Sequence, residues 1–464
     1  MFRFRRERRG RREINMTEGP LLPRILAFSG PLILTGILQL LYNAADVIVV
    51  GNYAGHEALA AVSSTGSLIN LLVNVFMGLG VGASVAVARN YGARDVKALR
   101  KAEHTAMTLP LFMGVAVGIF GFLAARPLLQ MMDSPPDVID GATLYVRIYF
   151  LGMPANMLYN FGAATMRAVG DTKRPMVYLM ISGLVNVLLN LLLVIVFHMD
   201  VAGVAIATVA SQVVSMVLVM LCLIHSSGPL HLDLKKLRVS WAELKEILRV
   251  GLPAGLQGSL FSISNVLIQS SVNSFGSIAM AGNTAASNLE GFVYTSMNSI
   301  YQADLTFASQ NYGARKPGRV RRVMWVCLGT VTVIGLTMGT LFYLLGEPLL
   351  AIYGGEREVW EFGLLRLGVI MPTYFLCGCM DTMVGQLRGV GCSVIPMIVS
   401  LAGACLFRIV WILTVFAQPQ WHSLEMLYVS YPISWGLTFI VHLICWYVVS
   451  PRLLRRIEQP AEEV

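Results

Sequence analysis

The sequence predicts an all-α integral membrane protein with twelve transmembrane helices in two six-helix bundles, related by a pseudo-twofold axis along the membrane normal. Three observations lead to this fold. Of the 464 residues, 56% are hydrophobic and only 13% are charged, whereas about 25% of the residues of a soluble domain are charged. Twelve apolar stretches are each long enough to cross about 30 Å of hydrocarbon as a helix. The first half of the sequence also repeats in the second half.

The apolar stretches divide evenly between the two halves of the chain. The predicted spans are residues 27–50, 59–88, 105–125, 141–166, 176–197, 203–225, 247–273, 280–309, 323–345, 360–386, 395–417 and 424–449. Between the halves lies a polar, basic joint in which Ser240 precedes Glu243 by three residues, a pattern typical of a helix start. The predicted organisation is a disordered basic tail (1–19), a first lobe (20–225), a linker (226–246), a second lobe (247–450) and a final tail (451–464).

An internal repeat relates the two lobes. "RNYGARDVKALRK" at 89–101 returns as "QNYGARKPGRVRR" at 310–322, a shift of 221 residues. The same shift matches Arg167 and Gly170 with Arg388 and Gly391. Because each half holds six spans, an even number, both halves enter the membrane in the same direction. The repeat is therefore parallel, and we expect the substrate site between the halves.

The distribution of basic residues predicts the orientation in the membrane. Placing the amino terminus inside assigns about 30 of the 35 Lys and Arg residues to the cytoplasm, as the positive-inside rule requires. We expect a multi-pass protein of the cell membrane with both termini in the cytoplasm. The net charge of +9 then reflects topology and attraction to anionic lipid, and no nucleic-acid partner is needed to explain it.

A carboxylate inside the first span is the main functional candidate. A charge at membrane depth costs about 2.5 to 3.5 kcal/mol on insertion scales, which makes Asp46 a functional hypothesis by default. Asn186 and Asn190 lie one turn apart in the fifth span, and Thr208 lies in the sixth. Carboxylate, amide and hydroxyl oxygens suit a proton or Na⁺, and the carbonyl of Val204 could add a ligand if the sixth helix opens locally. For the two asparagines, hydrogen bonding between helices is the alternative.

Further polar residues are candidates for a substrate cavity. Gln39 and Asn43 share the Asp46 face of the first helix. On the fourth span, a stripe of amides and thioethers is either a cavity wall or packing: it consists of Met153, Asn156, Met157 and Asn160. Pro31 either bends the first helix or opens it.

The second lobe has its own charges and no equivalent of Asp46. The candidates there are Glu290, Asp381 and Arg408. Glu290 and Arg408 both lie about 14 Å below the outer surface by helical rise, so we predict that they form an ion pair.

The motifs quoted above resemble the multidrug and toxic compound extrusion (MATE) family of cation-coupled antiporters, in its prokaryotic branch. The similarity covers residues 17–450, including "MRAVGDTKRP" and its partner "QLRGVGCSVIP". The resemblance implies a coupling site at Asp46, Asn186, Asn190 and Thr208, a bending proline at Pro31 and a polar cavity residue at Gln39. The family often has Asp at the position of Asn190, so this chain has one carboxylate fewer for Na⁺. Asp381 resembles a second-lobe carboxylate of another branch.

The sequence therefore predicts a monomeric, non-enzymatic antiporter that exports amphipathic, cationic organic compounds in exchange for H⁺ or Na⁺, without a cofactor. Its expected partners are small organic molecules and membrane lipids. One alternative is a flippase for lipid-linked precursors, which would need a strongly cationic central cavity. Another is a membrane-embedded enzyme, but the seven His residues form no H-E-x-x-H motif. No nucleotide-binding loop of the type G-x-x-x-x-G-K-[ST] is present.

Overall fold

A computed structural model describes residues 13–132, 135–136, 138–226, 228, 230–353 and 357–458. Most of the predicted basic tail (1–12) and the last six residues of the final tail (459–464) lie outside the described residues, as do positions 227 and 229 of the linker.

The first lobe contains six spans. Its helices are α1 (Leu21–Tyr53), α2 (Gly55–Gly92), α3 (Val96–Met131), α4 (Ile139–Leu151), α5 (Met153–Ala168), α6 (Lys173–Asn190) and α7 (Asp200–Ile224). A break at Gly152 divides the fourth span into α4 and α5. A π-helical segment, Leu191–Val196, continues α6 to the end of the fifth span.

The second lobe also contains six spans. Its helices are α8 (Trp241–Asn273), α9 (Ser277–Gly313), α10 (Pro317–Leu344), α11 (Gly346–Ala351), α12 (Arg357–Ile370), α13 (Phe375–Gly389), α14 (Val394–Ser400), α15 (Phe407–Trp411) and α16 (Leu424–Glu458). The tenth span bends by 49° between α12 and α13. Two π-helical segments, Leu401–Leu406 and Ile412–Phe416, flank α15 in the eleventh span.

The twelve spans differ in how apolar they are. Among the described residues, eight helices are long and apolar enough to cross a membrane on their own, and the bent pair of α12 and α13 makes nine. The other three spans carry more polar side chains. They are the α4–α5 pair, α8 and α9. Several polar residues of α8 and α9, among them Gln257, Asn265 and Asn298, line a cavity and need not contact lipid.

Equivalent backbone features confirm the parallel repeat. Arg94 and Arg315, 221 positions apart, have positive φ angles of 58° and 55°. Gly170 and Gly391 follow the same shift, with φ of 96° and 88°. Each pair closes a turn with the left-handed geometry that glycine tolerates best. The two lobes therefore share their turns as well as their order of spans.

The lobes are in close contact at one end of the bundle. We call this the basic end and define it by the two turns at 92–95 and 313–316. A Cβ on Gly92 would lie 2.0 Å from the Gln310 carbonyl oxygen, and one on Gly313 would lie 2.0 Å from the Arg89 carbonyl oxygen. This reciprocal contact is what a pseudo-twofold axis between the lobes produces. The structure is closed at the basic end.

The first helix of each lobe packs against the other lobe. Phe28 of α1 makes an edge contact with Phe307 of α9, with ring centroids 5.8 Å apart. Reciprocally, Ile247 of α8 joins a buried cluster with Leu79 and Ala83 of α2. In the predicted lobes at 20–225 and 247–450, the basic-end half of each first helix therefore packs against the opposite lobe: α1 against the second lobe and α8 against the first.

The described part of the amino-terminal tail is ordered, contrary to the prediction of disorder for residues 1–19. Met16 is fully buried, and its carbonyl oxygen accepts hydrogen bonds from Asn311 at 3.1 Å and Arg319 at 3.2 Å. The Ile14 N–H donates to the carbonyl of Gly170 in the other lobe at 3.3 Å. This segment therefore lies across both lobes at the basic end, where polar side chains satisfy its backbone.

Candidate ion site and substrate cavity

The structure brings Asp46 together with the two asparagines of the fifth span. The Asn190 amide donates a hydrogen bond to Asp46 Oδ1 and a longer one, 3.4 Å, to Asn186 Oδ1. Asn186 and Asn190 are buried and Asp46 is half-buried. The expected proximity is present, and the role of the cluster in ion coupling stays a prediction.

A free acceptor lies beside the carboxylate. Asn190 is 1% exposed, and its Oδ1 has no hydrogen-bond partner among the described residues. An unpaired buried acceptor costs about 1 to 3 kcal/mol, so the position of this oxygen beside the carboxylate calls for an explanation. Asn190 also ends α6, and π-helical turns of the kind that follow it often occur at functional sites. Binding of a proton or a monovalent cation by this cluster stays a prediction.

Thr208 occupies a more constrained position than the sequence suggested. Its hydroxyl donates to the Val204 carbonyl at 2.9 Å, and α7 runs without a break. The Val204 carbonyl is therefore engaged within the helix, and the local opening that would free it as a ligand is absent. The Val204 carbonyl oxygen is therefore not available as the additional Na⁺ ligand that the sequence suggested.

Tyr145 is a member of the site that the sequence did not identify. Its side chain lies close enough to Thr208 and to Asp46 to interact with both. It stacks on Tyr149, one turn later, with ring centroids 6.3 Å apart. Tyrosine is common in helix packing, and only the spacing of four residues between these two could have indicated a shared polar face.

The remaining candidates of the first helix are accessible. Gln39 and Asn43 are exposed, on the same helix as Asp46. Pro31 lies inside α1, and the helix continues through it. Because α1 begins ten residues earlier, at Leu21, Pro31 does not begin the helix. The carbonyl of Pro31 accepts a hydrogen bond from the Thr35 hydroxyl at 2.7 Å. Its role as a bending residue stays a prediction.

The methionines of the fourth span do not form a cavity wall in this structure. Met153 and Met157 are 0% and 3% exposed and pack in the core of the first lobe with Phe150. The amides of the same stripe bond to each other, since Asn160 donates to Asn156 Oδ1 at 2.9 Å. The break at Gly152 turns the thioethers inward, which the helical spacing of the stripe could not show.

An open cavity of about 620 Å³ is lined mostly by the second lobe, with Asn74 of the first lobe at its edge, and its size is typical of sites for drug-sized molecules. Five charged side chains line it: Glu290, Arg366, Asp381, Arg388 and Arg408. The three second-lobe candidates of the sequence are thus brought together here, joined by two arginines.

Glu290 forms an ion pair with Arg366, so the predicted pair of Glu290 with Arg408 is wrong. The guanidinium of Arg366 donates to the two carboxylate oxygens at 2.6 and 2.7 Å. It also donates to Asn283 Oδ1 at 2.7 Å, which accepts another hydrogen bond from Tyr428. Helical rise predicts depth but not the face on which a side chain lies, and the bent tenth span brings Arg366 to Glu290.

Asp381 and Arg388 lie two turns apart on the same face of α13. The Asp381 carboxylate lies close enough to Tyr294 and to Arg388 to interact with both. Arg388 donates to the Tyr301 hydroxyl at 2.9 Å and to Gln257 Oε1 at 2.8 Å. These contacts connect α13 with α8 and α9 around the cavity.

Substitutions of Glu290 and Arg366 should have non-additive effects on the stability of the protein. Removing one partner of a buried ion pair costs about 3 to 5 kcal/mol because an uncompensated charge remains. We therefore expect Glu290→Gln and Arg366→Met each to lower the unfolding temperature of the purified protein strongly, and the double variant to lower it less than the sum. A differential scanning fluorimetry cycle measures this, with Glu361→Gln, at an exposed pair with Arg357, as the control. Additive effects would contradict the pairing.

A parallel twelve-helix bundle, with a carboxylate held inside it and a charged cavity between its helices, defines a membrane transporter. The sequence model of the MatE family matches residues 31–192 and 253–414, one match in each repeat and more than half of the chain. The chain belongs to the MatE family.

Known proteins of similar sequence and structure agree with this assignment. The chain is 28% identical over 426 residues to the probable multidrug resistance protein YoeA of Bacillus subtilis, covering 89% of this chain and 91% of YoeA. It is 23% identical over 337 residues to a FAD transporter of Shewanella oneidensis, covering 71% and 74% of the two chains. A crystal structure of MATE in the straight conformation superimposes with a TM-score of 0.88 at 22% identity, covering 96% and 99%.

Proposed function

We propose that this protein is an antiporter that exports amphipathic organic compounds in exchange for protons, with Asp46 as the coupling residue. The observation that carries the proposal is the hydrogen bond from Asn190 to Asp46, which holds a carboxylate at membrane depth beside a free acceptor. Relatives such as YoeA are named as multidrug resistance proteins, which supports export of several compounds. The carboxylate and amides of the first lobe suit substrates with a cationic group.

The proposal includes the orientation of the protein in the cell membrane. The basic end, with the turns at 92–95 and 313–316, faces the cytoplasm, because cytoplasmic loops retain Lys and Arg. Both termini then lie in the cytoplasm, and the protein works as a monomer. In this orientation the closed end of the structure is the cytoplasmic one, and substrate leaves from the opposite side.

Coupling follows if Asp46 binds a proton and substrate alternately. A protonated Asp46 loses its negative charge, so it no longer attracts a cationic group or polarises the Asn190 amide as strongly. One ligand then weakens the hold of the other through the conformations that each favours. The proton would enter from outside and release the substrate there.

Protons are the better candidate for the coupling ion. The site offers Asp46, Asn186, Asn190 and Thr208 as oxygen ligands, but only one negative charge. The Val204 carbonyl, which would have been a fifth ligand, already accepts from Thr208. A site with few ligands and one charge binds a hard cation weakly, whereas a carboxylate in low dielectric takes a proton readily.

Transport into proteoliposomes under separate proton and sodium gradients tests the proposal. We expect the proton gradient alone to drive uptake of a fluorescent organic cation such as ethidium, and a sodium gradient to add little. Asn190→Asp should increase the sodium dependence because it adds a second negative charge to the site. Thr208→Ala should reduce any sodium effect while leaving proton-driven transport nearly unchanged.

Two outcomes would contradict the proposal. Strict sodium dependence that survives collapse of the proton gradient would reverse the choice of ion. Transport that ignores both gradients would exclude coupled antiport. Empty liposomes and liposomes with Asp140→Asn, an exposed carboxylate paired with Arg126 at the surface, serve as controls.

A further inference from the structure

Arg408 is a buried cation without an acidic partner. It is 3% exposed and lines the second-lobe cavity. No carboxylate of the described residues lies within ion-pair distance of it, and its Nη2 has no hydrogen-bond partner among them. An isolated charge inside a membrane protein is costly unless something compensates it.

The contacts that Arg408 makes fix its orientation but do not neutralise it. Its Nε donates to the Ser434 hydroxyl at 2.9 Å. The guanidinium lies over the Tyr431 ring, 4.1 Å from its centroid, and 5.5 Å from the centroid of Trp435. A cation–π contact stabilises a cation by about 0.5 to 2 kcal/mol, which is less than the cost of burying the charge. The aromatic rings therefore hold the guanidinium of Arg408 in place beside the cavity.

The other charges of the cavity are balanced, and this leaves Arg408 in excess. The two oxygens of Glu290 are both engaged by Arg366. Asp381 interacts with the charge of Arg388. Arg366 lies near enough to Arg408 to repel it. Among the described residues, three arginines and two carboxylates line the cavity, so its formal charge is positive.

We propose that the second-lobe cavity binds the anionic group of an amphipathic organic molecule, a carboxylate or a phosphate, and that the guanidinium of Arg408 is its ligand. Arg presents a planar fork that matches both groups in a bidentate way. The aromatic rings of Tyr431, Trp435 and Tyr374 also line the cavity and accommodate a flat apolar body. The proposal adds an anion-binding position to the cation-binding face of the first lobe.

The backbone around Arg408 is adapted to this position. The residue lies in the five-residue helix α15, between the π-helical segments Leu401–Leu406 and Ile412–Phe416. π-helical turns shift the register of side chains and are frequent at functional sites. The two π-helical segments and the 620 Å³ cavity together favour a role for Arg408 in ligand binding over a purely structural role.

Binding of two flavins to the purified wild-type protein provides the test. FMN and riboflavin share the same planar ring and differ by one phosphate, and both fluoresce. In fluorescence polarisation with protein in nanodiscs of neutral phosphatidylcholine, we expect FMN to bind about tenfold more tightly than riboflavin or better, because the phosphate forms charge-assisted hydrogen bonds. Equal affinities would overturn the proposal, and this comparison needs no variant.

Variants then assign the effect to Arg408. In Arg408→Gln, the affinity for FMN should fall to that for riboflavin, and riboflavin binding should stay unchanged. Arg408→Lys keeps the charge but loses the fork, so its FMN affinity should lie between the two. Arg147→Gln is the matched control: Arg147 also lies over a ring, that of Phe122, and bonds one backbone carbonyl, but it lines no part of the cavity. An undiminished FMN preference in folded Arg408→Gln would overturn the assignment.

The source of the anion is tested in the same experiment. If phosphatidylglycerol in the nanodiscs displaces FMN from the wild type, the anion site is supported, with a lipid headgroup as its occupant. If it does not, a soluble anion is supported. The inference does not rest on the proposed ion coupling. Binding is measured without a gradient and should be retained in Asp46→Asn, so failure of ion coupling and failure of anion binding give different results.

Discussion

Asp46→Asn is expected to abolish gradient-driven export while the protein stays folded. Asparagine keeps the shape of the side chain, and its carbonyl oxygen can still accept the hydrogen bond from Asn190 that Asp46 Oδ1 accepts. What it loses is the negative charge and the ability to bind and release a proton. In proteoliposomes with an inward proton gradient, transport should fall to the level of empty liposomes, and the elution profile and unfolding temperature should stay close to those of the wild type.

Asp140→Asn is the control that makes this result specific. It makes the same chemical change at an exposed carboxylate, 75% accessible and paired with Arg126, where an ion pair contributes about 0 to 1 kcal/mol. We expect normal export from it. Normal export by folded Asp46→Asn would refute the coupling role. Loss of transport in both variants would show that the assay reports stability and not coupling.

The fold was predictable because it is encoded in features that repeat along the chain. Apolar segments of membrane length and the shift of 221 residues between the "NYGAR" motifs fix the number and direction of the spans. A lone carboxylate in an apolar helix is costly, so Asp46 was identifiable without a structure. Its grouping with Asn190 was expected from the oxygen-bearing side chains of the two residues and from the family resemblance.

Depth alone could not identify the partners of the second-lobe charges. Glu290 and Arg408 lie at similar heights, but which residue each one faces depends on helix rotation and on breaks. The 49° bend between α12 and α13 brings Arg366 to Glu290, and two π-helical segments set the direction of Arg408. Pro372, in the short turn Met371–Thr373 at the break, signals a bend but not its angle or direction, and the π-helical segments have no clear sequence signature.

The methionine stripe of the fourth span shows a related limit. Met153 and Met157 lie on one helical face, and that periodicity is the same whether the face meets a cavity or a core. Burial in the first-lobe core was decided by the break at Gly152 and by neighbours from other spans. The packing of α1 and α8 against the opposite lobes has the same origin, because it depends on contacts across the interface.

Gly82→Ala is expected to open the basic end and to stop the transport cycle. A Cβ at Gly82 would lie 2.2 Å from the carbonyl oxygen of Ile247, and one at Gly251 would lie 2.6 Å from the Cα of Leu79. These neighbours are backbone atoms, so α2 and α8 cannot approach as they do unless both positions are glycine. The closed basic end requires this approach, and a transporter that cannot close one side cannot alternate between its two sides.

Helix propensity makes the effect of alanine easy to interpret. Within a helix, alanine is more favourable than glycine by about 0.5 to 1 kcal/mol, so a loss of function cannot come from a weaker helix. Gly66→Ala provides the matched control, because Gly66 lies on the same helix and a Cβ there would meet nothing within 4 Å. We expect Gly66→Ala to transport normally and to be as stable as the wild type or more stable.

Hydrogen exchange followed by mass spectrometry separates opening from simple destabilisation. In Gly82→Ala, peptides covering 76–92 of α2 and 244–256 of α8 should exchange faster than in the wild type. Peptides from α13 and α16, which lie inside the second lobe, should be unchanged. Transport should be lost in parallel. Unchanged exchange at the basic end together with normal transport would show that the lobes tolerate a wider interface, and that the glycine contact between α2 and α8 is not needed to close it.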